Sequence, residues 1–396
     1  MIEALFVLVA FRVLVLVVGV QQTISDDGAR FYAVGHAPGV PYRDYSVEYP
    51  PILVALVKLL AFATPNQHAF TAVIVVLSIV AEAAIAVLLW RTWSVPAALW
   101  FIAADTLLLS LFVARLDLIG VALVVAAVSA ALRGRAVTAA LCFVIAVGLK
   151  LWPLPLALMI IPALPAASRR AYIVTGTTAF AALMAAWLAL GGFAGIEQVL
   201  TFRGATGWQI ESVVGSVVRV ITGEPAILQA GADRFGHVPA ALPAVMQLLA
   251  AAVAVWTLGQ VRGRRDIGAA WVACVGAFLL ASALLSPQFI AWLIPAGAIA
   301  FASGDYLVAV AVAGVVLGTL LENAEYARLV ANLPDAVIYL MLRNAALLVA
   351  VVVSVRALRH RRSAVAETLE ARRTEYSGAI ARLSGPTERS HADTAA

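Results

Sequence analysis

The chain has 396 residues, of which 63% are hydrophobic and only 12% charged, where a soluble domain carries about a quarter charged residues; with a mean hydropathy of +0.98, a water-soluble globule is excluded. The 27 basic and 22 acidic residues leave a net charge of +5, but the excess sits in the C-terminal tail, in runs such as Arg359-His360-Arg361-Arg362, so anionic lipid headgroups rather than nucleic acid are the expected partner. The two cysteines, Cys142 and Cys274, lie inside apolar runs without a neighbouring ligand, which argues against a disulfide framework, a zinc site or a redox motif.

In chain order, apolar runs that can serve as spans fall at about 2–20, 68–90, 95–113, 116–132, 136–150, 151–167, 171–190, 239–261, 267–284, 287–303, 305–321 and 336–357. They predict an all-α, polytopic transmembrane helical protein with about twelve crossings. The first run opens with Glu3, contains Arg12 and lacks a small-residue cleavage site, so it is expected to remain as a span rather than act as a signal peptide. With the N-terminus in the cytoplasm, Arg91, Arg133 and Arg135, Arg169-Arg170, Arg262, Arg264 and Arg265, and the arginine-rich tail all fall in inner segments, as positive-inside topology requires.

The same assignment gives a membrane domain over 1–358 with long outer segments at about 21–67 and 191–238, and a basic cytoplasmic tail over 359–396. Within the first outer segment, Pro50-Pro51 opens an amphipathic stretch to about Phe62 carrying Lys58, expected as a surface-lying or re-entrant helix. The tail is expected to be helical over about 364–383 and disordered from Ser384 to Ala396. No fixed-period repeat is visible.

Inner-loop charges are nearly all arginines, whereas outer-face charges have both signs and sit at span ends. Such groups are costly at a membrane boundary unless they pair or line a wet cavity, so a shared polar cavity on the outer side is expected. Asp26-Asp27, just beyond the first span, offers a carboxylate that could take a proton from an acceptor hydroxyl, although a solvated helix cap would use the same residues. In Val40-Pro-Tyr-Arg-Asp-Tyr-Ser-Val-Glu-Tyr-Pro-Pro51, the double proline stiffens the chain, holding Tyr42, Arg43, Asp44, Glu48 and Tyr49 on an outer loop where rings can stack on sugar faces and carboxylates can accept sugar hydroxyls.

Arg115-Leu-Asp117 and Gly148-Leu-Lys-Leu-Trp-Pro153 open at the same face. Lys150, in a nearly unbroken apolar stretch, calls for an anion such as a lipid phosphate, with snorkelling to the interface as the bland alternative. Phe202-Arg-Gly-Ala-Thr-Gly-Trp-Gln-Ile-Glu-Ser212 places Arg203, Trp208, Gln209 and Glu211 on what reads as a flexible loop over a sugar and phosphate, and Leu285-Ser-Pro-Gln-Phe289 adds the Gln288 amide. Phosphate-cradling and dinucleotide glycine motifs, HExxH and cysteine clusters are absent from the sequence, which disfavours cytoplasmic nucleotide substrates and a bound metal.

Together, Asp26-Asp27, the Pro41–Pro51 loop, Arg115-Leu-Asp117, Gly148–Pro153, Gly207-Trp-Gln-Ile-Glu-Ser212 and Leu285-Ser-Pro-Gln288 resemble glycosyltransferase family 87, in the same order over about 1–350. The resemblance implies a helical enzyme of the glycosyltransferase C superfamily, whose family includes polyprenol-phosphate-mannose-dependent mannosyltransferases. It implies a polyprenyl-phosphate sugar donor, a glycolipid or cell-envelope glycan acceptor, no cofactor, and an active site on the extracytoplasmic face of the plasma membrane. It further implies an aspartate general base, Asp27 with Asp26 as rival; Arg115, Lys150 and Arg203 on the donor phosphate; and Tyr42, Arg43, Asp44, Glu48, Tyr49, Asp117, Trp208, Gln209, Glu211 and Gln288 around sugar or acceptor. Where many relatives carry a tyrosine this chain has Phe31. The competing class is a twelve-helix secondary transporter or lipid flippase using Arg12, Glu82 and Asp105 near mid-membrane; a noncatalytic scaffold explains neither the one-sided gathering of charge nor the rigid loop.

Overall fold

The computed structural model describes residues 26–202, 205–229, 231–236, 239, 241–331 and 333–383. The expected first span at 2–20, Arg203 and the tail from Ser384 lie outside them. Helix α1 (Asp26–His36) leads through the stiff loop into α2 (Pro51–Ala63). Pro51 stands at the first helical position, where a missing N–H costs nothing. Leu53, Val54, Val57 and Ala61 face inward while Leu59 and Phe62 are exposed, the helical stripe that the sequence predicts. Then follow α3 (Gln67–Thr92), α4 (Val95–Leu107), a single turn α5 (Leu109–Phe112), α6 (Asp117–Leu132), α7 (Ala136–Leu149), α8 (Leu154–Met159) and α9 (Ala166–Leu200). Asn66 Oδ1 caps α3 by accepting from Ala69 N at 2.9 Å, and Ser94 caps α4, each satisfying a first-turn donor.

After α9 the chain is not all-α. Strands β1 (Trp208–Gln209), β2 (Ile227–Gln229) and β3 (Ala232–Phe235) form an antiparallel sheet in the order β1-β3-β2, with α10 (Val213–Thr222) between β1 and β2. Strands of two to four residues are too short for a period-two pattern to register in sequence. Within the Phe202–Ser212 segment expected as a flexible loop, Trp208 to Ser212 are all buried, and Trp208–Gln209 form β1 of this sheet.

The remaining helices are α11 (Ala241–Gln260), α12 (Ile267–Leu280), α13 (Ile294–Ala302), α14 (Tyr306–Ala324), α15 (Tyr326–Val330) and α16 (Pro334–Leu383). Helix α12 is buried on every side from Ile267 to Ala277 and packs against α11, α13 and α16, so it is the centre of the bundle. Among the described residues, five helical stretches are long and apolar enough to cross a membrane: Gln67–Thr92, Ala166–Leu200, Ala241–Gln260, Tyr306–Ala324 and Asp335–Ser363. Most of the other predicted spans are shorter helices, such as Val95–Leu107, Asp117–Leu132 and Ala136–Leu149.

The bundle has two chemically different ends. At one, Arg133 donates to Thr92 Oγ1 at 2.7 Å, Arg264 donates to the Thr92 carbonyl, and Arg361 pairs with Asp266 at 3.0 Å and with Asp305. At the other, Ser78 Oγ donates to the Arg115 carbonyl at 2.8 Å. Ser78 and Thr92 lie on the same helix, separated by about 21 Å at 1.5 Å per residue.

Candidate active site

The polar end holds the predicted charges. Gly28 is buried where a Cβ would come within 2.6 Å of Thr71 Oγ1, so α1 lies tight on α3 and its first turn brings Asp27 to Arg115. The Arg115 Nε–H donates to the Asp27 carboxylate. Its Nη1 donates to Gln288 Oε1 at 2.6 Å and to the Leu111 carbonyl at 3.3 Å, and Ser286 Oγ donates to the same Gln288 oxygen. Three segments far apart in sequence thus meet on one guanidinium.

Lys150 forms the second node. It leaves the end of α7 in extended conformation, and Gly148 before it lies against Ile52 so closely that a Cβ would sit 2.3 Å from Cδ1, which lets α2 and α7 approach. The ammonium donates to Asp117 Oδ1 at 2.7 Å, and Trp292 Nε1 donates to that same oxygen at 2.9 Å. Lys150 Nζ also lies 4.5 Å from the Phe289 ring centroid and 5.2 Å from that of Trp292, within cation–π range. Those rings are stacked with centroids 4.4 Å apart, and Trp152 continues the stack at 5.1 Å from Trp292.

A narrow cleft opens at the second node, lined by Phe31, Tyr49, Leu53, Leu116, Asp117, Gly120, Leu149, Lys150 and Trp152. Phe31 is one helical turn beyond Asp27, and Leu116 follows Arg115. Arg30 pairs with Glu48 and lies 6.0 Å from the centroid of the Tyr49 ring, while Phe31 packs on that ring at 5.4 Å. Burial, and next the Glu48 charge, push the Tyr49 phenol well above its ordinary range, so it stays neutral and can offer a proton in a hydrogen bond.

The predicted site residues therefore divide into groups. Asp27, Glu48, Tyr49, Arg115, Asp117, Lys150 and Gln288 come together. Asp26 precedes Asp27 in the first turn of α1, and its side chain, like all of Arg203, lies outside what is described. Tyr42, Arg43 and Asp44 sit behind the cleft and hold the loop itself. Tyr42 is buried against Trp187 and its hydroxyl donates to the Tyr49 carbonyl at 2.7 Å. Arg43 donates to the Ala189 carbonyl at 2.7 Å, and Asp44 accepts from Val40 N at 2.6 Å. Tyr42 has φ of 69°, a left-handed conformation that costs about 1–3 kcal/mol and persists only under strong surrounding constraint.

Trp208, Gln209 and Glu211 belong to a separate buried cluster. Gln209 Nε2 donates to Glu211, Arg343 donates to the Glu211 carbonyl at 2.6 Å, and Arg343 Nε is 3.0 Å from Glu322 Oε2. This cluster touches the cleft region through Gln209 N, which donates to the Ala283 carbonyl at 2.9 Å, just before the Ser286–Gln288 turn. Arg30, Phe289 and Trp292 were not assigned a site role from sequence; an indole four residues beyond Gln288 was the available signal for the aromatic floor. Arg343, a charge in the middle of the apolar 336–357 run, was the signal for the second cluster.

The glycosyltransferase family 87 model matches residues 48–287. The chain belongs to glycosyltransferase family 87. As a family-87 protein with several membrane-crossing helices it is a multi-pass membrane glycosyltransferase, and the transporter and scaffold alternatives fall away. The crystal structure of ArnT from Cupriavidus metallidurans in the apo state is similar over 89% of this chain and 77% of that chain, at 16% identity and a TM-score of 0.47. No curated protein matches this family-87 chain.

Proposed function

We propose that this glycosyltransferase moves a hexose, mannose being the best assignment from its family, from a polyprenyl-phosphate donor to a glycolipid or cell-envelope glycan acceptor on the extracytoplasmic face, with inversion. The observation that carries the proposal is the meeting of Asp27, Arg115 and Gln288 beside a cleft walled by Lys150 and Asp117. This cleft lies at the bundle end away from the arginine-rich loops, and positive-inside topology then favours the outer leaflet for the site and the cytoplasm for both termini.

In the proposed reaction, the Asp27 carboxylate takes the proton of the acceptor hydroxyl while that oxygen attacks the anomeric carbon. The bond from the anomeric carbon to the phosphate oxygen breaks, and polyprenyl phosphate leaves with the electron pair and one more negative charge. Arg115 and Lys150 would hold that charge, with Arg203 as a further candidate. An ammonium has three donors and a guanidinium five; Lys150 gives one to Asp117 and Arg115 gives three to Asp27, Gln288 and Leu111, so donors remain for a phosphate. Such fixed donors stabilise charge where it develops, and no obligatory metal is proposed. Asp117 acts on Lys150 and Trp292 rather than on the sugar, while Glu48 and Tyr49 line the approach to the cleft.

The test is transfer in membranes supplied with radiolabelled polyprenyl-phosphate mannose and no ion gradient. Label passing to a glycolipid or glycan with wild-type protein, and not with Asp27→Asn, is the expected outcome. Transfer undiminished in a folded Asp27→Asn variant would refute the base assignment.

A further inference from the structure

Helix α10 is built inside out for a helix in water. Its inward face carries Ser216 and Arg219, 0% and 2% exposed. Ser216 accepts from Asn344 Nδ2 at 3.0 Å, and Arg219 donates to the Leu329 carbonyl and lies 5.4 Å from the Phe235 ring centroid. Its outward face is Val217, Val220 and Ile221, the last two 62% and 76% exposed, at helical spacing and without a charge among them. The adjoining strand β2 adds Ile227 and Leu228, 59% and 77% exposed. An aqueous lobe would show the reverse pattern, and a contiguous exposed apolar patch marks a surface covered by something apolar.

The height of α10 identifies the cover. Asn344, which holds Ser216, lies on α16, and Arg361 of the same helix sits in the basic end of the bundle, pairing with Asp266 and Asp305. The separation is about 26 Å of helix. Helix α14 gives the same figure independently, since Glu322, which pairs with Arg343 in the cluster under α10, is about 26 Å of helix above Asp305. A hydrocarbon core is about 30 Å thick, and tilt only lowers these heights. With the arginines at one membrane boundary, α10 therefore hangs within the opposite leaflet rather than above it. Beside it on α16, Ile338 and Leu342 are also exposed and apolar, so the face continues the lipid-facing belt of a spanning helix.

We infer that α10 and β2 form a lobe embedded in the acyl-chain region of the leaflet on the active-site side, its occupant being lipid hydrocarbon and not water or a second copy of the chain. The polar cluster of Glu211, Glu322, Arg343, Asn344 and Ser216 is then the anchor that keeps the lobe's polar face turned away from lipid.

The wild-type protein in bilayers containing an acyl-chain diazirine phospholipid tests this without recourse to transferase activity. Adducts on the segment 213–228 are expected; labelling of spanning helices with that segment unlabelled would overturn the inference. In a Cys142→Ser, Cys274→Ala background, a nitroxide at Val220→Cys or Ile221→Cys should collide several-fold more often with oxygen than with a water-soluble nickel chelate. Preferential nickel collision at 220 and 221 would mean a water-facing lobe. Protection from both reagents with dipolar broadening between labels would mean a second copy. Either result refutes lipid contact.

Discussion

Lys150 and Asp117 allow the site's electrostatics to be separated from its architecture. Lys150→Met removes the ammonium and keeps most of the stem. A phosphate charge about 4 Å from an ammonium at an effective dielectric near 20 is worth about 4 kcal/mol. The Asp117 carboxylate, 2.7 Å from the same nitrogen, offsets part of it, so a loss of about 10²–10³ in transfer rate is expected, at 1.36 kcal/mol per decade. Asp117→Asn leaves the Lys150 ammonium without its counter-ion. Removing one partner of a fully buried pair costs about 3–5 kcal/mol; with the side chains 22% and 6% exposed, about 2–3 kcal/mol of stability is expected. The double variant carries neither charge. If Lys150 serves only to neutralise Asp117, the double variant should regain both thermal midpoint and transfer; if it holds donor phosphate, it should regain the midpoint and remain as slow as Lys150→Met. Rates from radiolabelled polyprenyl-phosphate sugar in nanodiscs, set beside thermal midpoints of the same samples, distinguish the two. Near wild-type transfer by the double variant would refute the phosphate role.

Asp27→Asn should lower transfer by about 10²–10⁴-fold, the usual contribution of a general base, with the melting midpoint held because the amide oxygen still accepts from Arg115; Asp26→Asn should leave transfer unchanged, and the opposite ranking of the two would move the base to Asp26. Gly191→Val should loosen the outer loop, since a Cβ there would lie 2.5 Å from the Tyr42 Cβ; overpacking of this kind costs about 1–3 kcal/mol, to be read as a lower midpoint and faster tryptic cleavage after Arg43. Chelation with excess EDTA should leave the rate intact, because in the proposed reaction fixed side-chain cations rather than a bound ion take the departing phosphate charge; a metal-restorable loss would count against that assignment.

Residues whose chemistry is out of place in their surroundings were legible from sequence. Arg115, Asp117 and Lys150 interrupt apolar runs, and an unpaired charge there is costly enough that a partner had to exist; the pairings themselves, Arg115 with Asp27 and Lys150 with Asp117, depend on which helices are neighbours and have no local signature. Tyr42, Arg43 and Asp44 attract attention for the same reason, yet they hold the loop against α9, because a carbonyl at Ala189 or a backbone N–H at Val40 recruits polar side chains as readily as a sugar does. Trp292 went unnoticed because an indole in an apolar run is unremarkable until its N–H is seen to reach Asp117. The sheet around β3 was illegible because its strands are shorter than one cycle of reliable alternation.

The pairing of each cation with a carboxylate has a consequence for how a charged lipid could enter. Lys150 with Asp117, Arg115 with Asp27 and Arg30 with Glu48 make the site close to neutral, which keeps uncompensated charge away from the membrane boundary. Under the proposed function, a phosphate arriving from the leaflet takes donors that the carboxylates leave unused, whereas a neutral lipid gains nothing from them, so selection would act on charge without requiring the site to carry a net positive field. In the proposed reaction, as the sugar leaves the donor the phosphate gains charge and the Asp27 carboxylate loses it to the transferred proton. In the proposed reaction Arg115 is thereby released from its resting partner as the second anion strengthens, and the stabilisation grows with the transition state, as rate enhancement requires.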